Sequence, residues 1–172
     1  ERDHLVTEGA INIPVSDTFA MRLAGYFATE GPFAKNQFPG SSKLIEHDKY
    51  AVRWSTAFEA ERLALYTTVE YETREQSGSI YRAIDEGDIW EAFDSQLLGV
   101  ELRGNDEEID SDQYLGDADD ADILTLGMQF DYDFDFATLT SNTGYKDHDY
   151  FYQEDYDGTP KNVNNYGQDQ KG

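Results

Sequence analysis

Carboxylates are the most abundant reactive groups in the chain, and three of them are spaced as metal ligands are. Asp131, Asp133 and Asp135 stand at every second position, which is the spacing of the first three ligands of a calcium-binding loop. Such a loop needs glycine at its sixth position and glutamate at its twelfth, whereas Phe136 and Asn142 stand there. The sequence therefore favours a tight turn over a calcium site at these aspartates.

A second set of carboxylates lies between Ser79 and Asp122, where 15 acidic residues and two arginines give a net charge of −13. Clustered carboxylates can hold hard cations such as Ca²⁺. A solvated acidic loop is the simpler interpretation, and we expect it here. The densest runs are Asp106, Glu107, Glu108, Asp110 and Asp112, followed by Asp117, Asp119, Asp120 and Asp122.

The sequence has few other candidates for metal-binding or catalytic side chains. His4, His47 and His148 stand far apart in the chain with no second ligand at metal-binding spacing, so the sequence predicts no transition-metal site. The absence of cysteine excludes disulfides, a thiolate nucleophile and Cys-ligated zinc. No glycine-rich phosphate loop, nucleophile elbow or paired catalytic acid stands out. We therefore expect no catalytic residues, no cofactor and no enzymatic activity.

Aromatic side chains beside carboxylates mark the last third of the chain. Rings can stack on sugars or chelates, and carboxylates accept hydrogen bonds from them. If this segment binds a ligand, the expected contacts are Tyr150, Tyr152, Asp155 and Tyr156. The alternative is that these rings form an interfacial girdle and pack the loops.

Composition limits the classes of protein to consider. The 172 residues include 13 Lys+Arg and 36 Asp+Glu, for a net charge of −23, so nucleic acid is a poor partner. The length suits one domain. Aromatic residues make up 14% of the chain although only 38% is hydrophobic, which is too aromatic for a disordered acidic tail. No apolar run approaches the ~18 residues of a membrane helix, whereas spanning β-strands alternate and score as polar.

Alternating apolar and polar residues predict six long strands in three hairpins. In each strand the large apolar side chains share one face, and turns of about three to five residues join the strands of a hairpin. A short amphipathic helix is expected near 88–98, where Asp88 and Glu91 form a capping-box pattern. The predicted strands are 5–15, 18–28, 50–58, 63–72, 124–132 and 137–146.

The connections between hairpins, 30–49 and 75–122, are much longer than the turns within them. Short turns at one end and long loops at the other are typical of outer-membrane barrels, and strands of ~10 residues can cross a bilayer. The predicted fold is all-β: an antiparallel up-and-down transmembrane β-barrel segment with long acidic extracellular loops. The alternative is a soluble β-sandwich whose apolar faces pack on each other.

Three segments resemble the barrel of TonB-dependent outer-membrane receptors. Residues 8–25 read EGAINIPVSDTFAMRLAG, like an early barrel hairpin of that family, and 50–54 (YAVRW) and 139–150 (LTSNTGYKDHDY) resemble later strands. Such receptors have about 22 strands and a plugged lumen, so residues 1–172 are expected to form part of a single barrel domain, roughly its second to seventh strands, without the plug. The expected lumenal side chains are Arg22, Arg53, Glu70, Glu72, Gln129 and Lys146.

The resemblance implies a function as well as a fold. It implies active uptake of a scarce nutrient (siderophore-iron, cobalamin or an oligosaccharide) across the outer membrane of a Gram-negative bacterium. The implied partners are outer-membrane lipid or lipopolysaccharide, the small-molecule or oligosaccharide ligand, and the TonB complex, reached through an N-terminal region that this chain lacks. The alternative is an autonomous secreted acidic β-protein that binds calcium or carbohydrate, or assembles through its strand edges.

Overall fold

The computed structural model describes residues 3–39, 44, 46–85, 87–93, 97, 99–102, 108–112 and 117–172. Within them, strands dominate, and the one α-helix has five residues. The elements are β1 (His4–Ser16), β2 (Phe19–Glu30), β3 (Lys35–Asn36), β4 (His47–Ala60), β5 (Leu63–Gln76), α1 (Asp88–Ala92), β6 (Glu108–Ile109), β7 (Ala118–Asp133), β8 (Thr138–Asp155) and β9 (Asn165–Lys171).

Seven strands form one antiparallel sheet in the order β1-β2-β4-β5-β7-β8-β9, so each long strand pairs with the next one along the chain. This meander confirms the all-β antiparallel fold and the three predicted hairpins, β1–β2, β4–β5 and β7–β8. The seventh strand, β9, was not predicted, because its sequence NYGQDQK has no apolar alternation. It forms by pairing with the last residues of β8.

The hairpin turns are shorter than predicted at two of three positions. Two residues, Asp17 and Thr18, separate β1 from β2, and Glu61 and Arg62 separate β4 from β5. Strand β1 continues through Pro14, with a register shift between Pro14 and Ser16. Proline is tolerated there because β1 pairs only with β2 in the described sheet and its pairing is irregular next to Pro14. The pattern placed the turn too early because Pro14 is also a common turn residue.

The strand register places most of the large apolar side chains on one side of the sheet. A row of large apolar residues crosses six strands in direct register, and each of them is between 37% and 57% exposed. We call the side of the sheet that carries this row the apolar face, and the opposite side the polar face. The row consists of Ile11, Leu23, Trp54, Val69, Leu126 and Tyr145.

Buried apolar side chains lie elsewhere in the described residues. Ala34, Leu44 and Ile109 form a small cluster against Ile80, at the end of the sheet where the long connections lie. The parallel pair β3–β6 brings the connection after β2 to the connection after β5. The packed core therefore belongs to the loops, whereas the centre of the sheet exposes its apolar face.

Of the helix predicted near 88–98, the structure describes a single short helix at its start, α1 (Asp88–Ala92). Asp88 and Glu91 lie in its first turn, where a negative charge interacts favourably with the unpaired N–H groups at the start of a helix. Residues 94–96 and 98 of the predicted helix lie outside the described residues. Among the helical residues described, no helix is long and apolar enough to span a membrane.

Candidate functional site

Ion pairs between neighbouring strands line the polar face. Arg53 on β4 pairs with Glu70 on β5, directly opposite in the register. Lys49 Nζ lies 3.0 Å from the Glu72 carboxylate, and other polar side chains bond in the same manner across strands. Because these pairs are partly exposed, each contributes little to stability; their effect is to make this face hydrophilic. Two further contacts are Arg22 with Asn12 at 2.9 Å and Arg74 with Asp119 at 2.8 Å.

The six residues expected to face a lumen do share this face. The strand pairing places Arg22, Arg53, Glu70 and Gln129 opposite other residues of the polar face on the adjacent strands. The register also places Glu72 and Lys146 there. The grouping of these residues is confirmed, and their position in a barrel lumen stays a prediction.

Three long connections leave the sheet at one end, which we call the loop end. A cavity of about 300 Å³ lies at this end, and carboxylates dominate its lining. A concave site surrounded by one sign of charge raises the local concentration of counter-ions. The loop end is therefore suited to cations. The acidic lining residues are Glu30, Glu46, Asp48, Glu75, Asp117 and Asp120.

Two of the four expected ligand contacts form an aromatic stack on the polar face. The rings of Tyr150 and Tyr152 lie 6.1 Å apart at an angle of 20°, and Tyr166 on β9 lies 6.0 Å from Tyr152. The Tyr152 hydroxyl donates to Glu154 and accepts the N–H of Ser79 at 3.2 Å. These hydrogen bonds attach the long connection after β5 to the end of β8, so the stack has a packing role as well as an open ring surface.

Asp155, the third expected contact, is only 5% exposed. Its Oδ1 atom accepts the N–H groups of Asp157 at 3.0 Å and Gly158 at 3.4 Å, and the Ser111 hydroxyl donates to Oδ2. The carboxylate thus organises the loop between β8 and β9. Tyr156, the fourth, is 52% exposed, with its ring 5.0 Å from that of Tyr81. The ligand role of all four residues stays a prediction.

The pKa of Asp155 is raised from 3.8 to about 7. Burial is the main cause, since it penalises the charged form; the Ser111 hydrogen bond opposes the shift, and the charge of Asp157 adds to it. Asp155 lies four positions beyond Phe151, the last large apolar side chain of β8 on the apolar face. The folded loop therefore keeps a proton on Asp155 at a pH where the unfolded chain has released it.

We expect the loop between β8 and β9 to open more readily as the pH rises from about 4 to above 7. A raised carboxyl pKa contributes stability that is complete below the unfolded value and is lost as the pH rises through the folded value. Asp155→Asn should flatten this dependence, because the amide oxygen can still accept the Asp157 and Gly158 N–H groups. Hydrogen-exchange protection factors for these two amides at several pH values measure the effect. An unchanged pH dependence in the variant would contradict the assignment to Asp155.

The aspartates with calcium-loop spacing do not converge on one point. Each of Asp131, Asp133 and Asp135 has its own hydrogen-bonding or ionic partner at the turn between β7 and β8. This arrangement supports the interpretation as a turn. The partners are Thr140 for Asp131 at 2.6 Å, Thr138 for Asp133 at 2.6 Å and Arg62 for Asp135 at 2.7 Å.

The second acidic set is only partly described, since 103–107 and 113–116 lie outside the described residues. In the part that is described, Asp119 pairs with Arg74, and Asp122 accepts the Tyr71 hydroxyl at 2.8 Å. Asp120 accepts the N–H of Gln76 at 3.3 Å. These aspartates fix the start of β7 against the end of β5.

The structure brings together two histidines that the sequence separates. His4 opens β1, Glu30 closes β2 and His47 opens β4, and the three residues pair in one cross-strand row on the polar face. The spacing of the histidines along the chain did not predict this proximity of His4 and His47. The predicted strands 5–15 and 18–28 end short of His4 and Glu30, which the longer strands of the structure bring into register. The position of His47 depends on the register across a long connection.

Family models, curated proteins and solved structures were all compared with the chain, and none of them matches it. The features that bear on function are therefore the two contrasting faces of the sheet and the acidic loop end.

Proposed function

We propose that this chain forms a sector of the wall of an outer-membrane transport barrel. The observation that carries the proposal is the exposed apolar face, backed by a polar face lined with ion pairs. In a bilayer the apolar face would lie against lipid and the polar face would line a water-filled or plugged interior. Pairing within the sheet satisfies the strand backbone, which hydrocarbon requires.

The size of the apolar face supports a lipid contact over a chance patch. Six strands at about 4.8 Å spacing span about 24 Å, and the apolar positions from Tyr50 to Phe58 rise by about 27 Å. The face therefore covers roughly 600 Å², at the upper limit of what a soluble monomer exposes. Strands of 12 to 18 residues in the three hairpins exceed the ~9–11 needed to cross a bilayer at a tilt.

The open edges of the sheet support a larger assembly. β1 and β9 each pair with a single neighbour in the described sheet, and seven strands are fewer than the about eight of the smallest membrane barrels. We infer that further strands of the same barrel pair with these edges. The acidic loop end would then face the outside of the cell and the short turns the periplasm.

The transport activity rests on the resemblance of residues 8–25, 50–54 and 139–150 to TonB-dependent receptors. On this basis the whole protein takes up siderophore-iron, cobalamin or an oligosaccharide, with energy from the TonB complex. It acts in the outer membrane of a Gram-negative bacterium and is not an enzyme. The aromatic stack of Tyr150 and Tyr152 offers ring surface for such a ligand.

The first test is the intact mass and the location of the native polypeptide. Denaturing mass spectrometry of the protein isolated from outer membranes should give a mass several-fold above the 19.6 kDa of this chain. A soluble, folded product of 19.6 kDa would overturn the proposal. It would favour instead a secreted acidic β-protein that assembles through its edges.

The second test is uptake. Cells that lack the protein should fail to accumulate one labelled nutrient from a panel of ferric siderophores, cobalamin and oligosaccharides. Restoring the gene should restore accumulation, and removing TonB should abolish it again. Equal uptake of every compound with and without the protein would argue against transport even if the barrel is present.

A further inference from the structure

We infer that His4, Glu30 and His47 form a binding site for a divalent first-row transition-metal ion, of which Zn²⁺ is the natural probe. Their potential ligand atoms all lie within 4.8 Å of one another. Among the described residues, this is the only set of three or more histidine, aspartate or glutamate side chains with that property. The inference does not depend on transport, because the geometry belongs to the sheet itself.

The backbone fixes the three side chains in a row. His4 pairs with Glu30, and Glu30 pairs with His47, so adjacent strands project all three from the same face at the same level. Backbone hydrogen bonding between β1 and β2 continues beyond His4 and Glu30, since Gly31 donates its N–H to the Asp3 carbonyl at 2.8 Å. Next to His47, Ser77 donates its N–H to the Glu46 carbonyl at 3.0 Å. The ligand-bearing residues thus lie on hydrogen-bonded strand ends.

The distances between the side-chain ligand atoms are close to those found around a coordinated metal ion. His47 Nδ1 lies 3.5 Å from Glu30 Oε2, and the His4 and His47 rings are 6.1 Å apart at 62°. Metal–ligand bonds of about 2.0–2.2 Å in tetrahedral geometry place ligand atoms about 3.4 Å apart. One pair already has that separation. Changes in the side-chain torsions of His4 would bring its imidazole to the same distance.

The donor set selects the class of metal. Two imidazoles and one carboxylate suit Zn²⁺, Ni²⁺, Cu²⁺ or Fe²⁺, whereas Ca²⁺ and Mg²⁺ prefer an all-oxygen site. Three protein ligands leave coordination positions open for water or for an exogenous ligand. His4 is exposed and the other two residues are half-buried, so a hydrated ion can reach the site from solvent.

The surrounding charge favours the same conclusion. Glu30 and His47 also line the acidic cavity of the loop end, together with Glu46, Asp48 and Glu75. These carboxylates concentrate divalent cations near the site without selecting among them. The two histidines provide the selection, because imidazole binds transition metals far better than it binds alkaline-earth ions.

The test is Zn²⁺ binding to the intact polypeptide, purified in detergent and freed of metal with a chelator. Competition against a chromophoric zinc indicator, with millimolar Ca²⁺ present to occupy the acidic loops, should report one Zn²⁺ that Ca²⁺ does not displace. His4→Gln and His47→Gln should each weaken this binding at least about tenfold. His148→Gln is the matched control, since His148 lies on the same face but on β8, and it should leave the affinity unchanged.

Binding of Co²⁺ gives an independent measurement, because its visible absorption reports imidazole coordination and the variants should lose it. The exposed position of His4 makes its variant the safer one for folding, and circular dichroism of the sheet checks this. Equal Zn²⁺ affinity in wild type and in a His4→Gln/His47→Gln double variant would overturn the inference. So would displacement of all bound Zn²⁺ by Ca²⁺, or the absence of Zn²⁺ binding. None of these outcomes bears on nutrient uptake, which is measured separately.

Discussion

Leu126→Arg should destabilise the membrane-inserted protein by about 2–4 kcal/mol, the cost of an arginine on the lipid side of a barrel near the bilayer centre. Leu126 lies in the central apolar row, between Val69 and Tyr145, and is 37% exposed. An arginine there would have to place its charge in hydrocarbon or bend toward the interface. The measurement is the free energy of unfolding in lipid vesicles, obtained by denaturant titration of the whole polypeptide.

Gln129→Arg is the matched control for this substitution. Gln129 lies on the same strand but on the polar face, and it donates to the Asp131 carboxylate at 2.8 Å. An arginine can make the same contact, so stability should change by less than about 0.5 kcal/mol, as for most surface substitutions. If both variants have the same stability as wild type while Leu126→Arg is more soluble without detergent, the apolar face does not contact lipid.

Gly158→Ala should release the connection after β5 from the loop between β8 and β9. Gly158 has φ of +63°, and a Cβ atom there would lie 2.7 Å from the Tyr81 carbonyl carbon and 2.8 Å from the Arg82 nitrogen. The left-handed conformation costs a non-glycine residue about 1–3 kcal/mol. The clash adds to this cost because backbone atoms cannot move aside as a flexible side chain can. The total destabilisation by Gly158→Ala should therefore exceed the cost of the left-handed conformation alone.

The effect of Gly158→Ala is best measured at the contact between the two segments. Ala83 donates its N–H to the Gly158 carbonyl at 3.1 Å, so hydrogen exchange at Ala83 should accelerate strongly in the variant. Gly99→Ala measures strain without a clash, since Gly99 has φ of +78° and no described atom lies within 4 Å of the position its Cβ would take. Gly87→Ala, with open space and an ordinary φ, gives the baseline. Equal effects at Gly158 and Gly99 would show that the close approach to Tyr81 is unimportant.

These contacts bear on how the loop end holds its shape. Asp155, Gly158 and the Tyr152 hydroxyl each tie β8 or the loop after it to a different point of the connection after β5. Such support would favour ligand binding by these loops, because loops fixed by several hydrogen bonds lose less entropy when a ligand binds. The pH dependence expected of Asp155 would then extend to any ligand held by the neighbouring rings.

The sequence by itself determined the three hairpins and the division of each into two faces. This follows because side chains alternate strictly along a strand, so a period of two in residues such as Leu124, Leu126 and Met128 assigns a face without further information. It also determined where the long connections lie. Turn boundaries were less certain, since Pro14 suits both a turn and an edge strand.

The tertiary structure alone decided what depends on the pairing of distant segments. Strand β9 has no pattern of its own and exists because the end of β8 offers unpaired N–H and C=O groups. Asp155 meets the Ser111 hydroxyl only because the connection after β5 returns to the end of β8. His47 meets His4 only because the connection between β2 and β4 returns in one particular register. A long loop closes at nearly the same entropic cost in several registers, so local sequence does not specify which one forms.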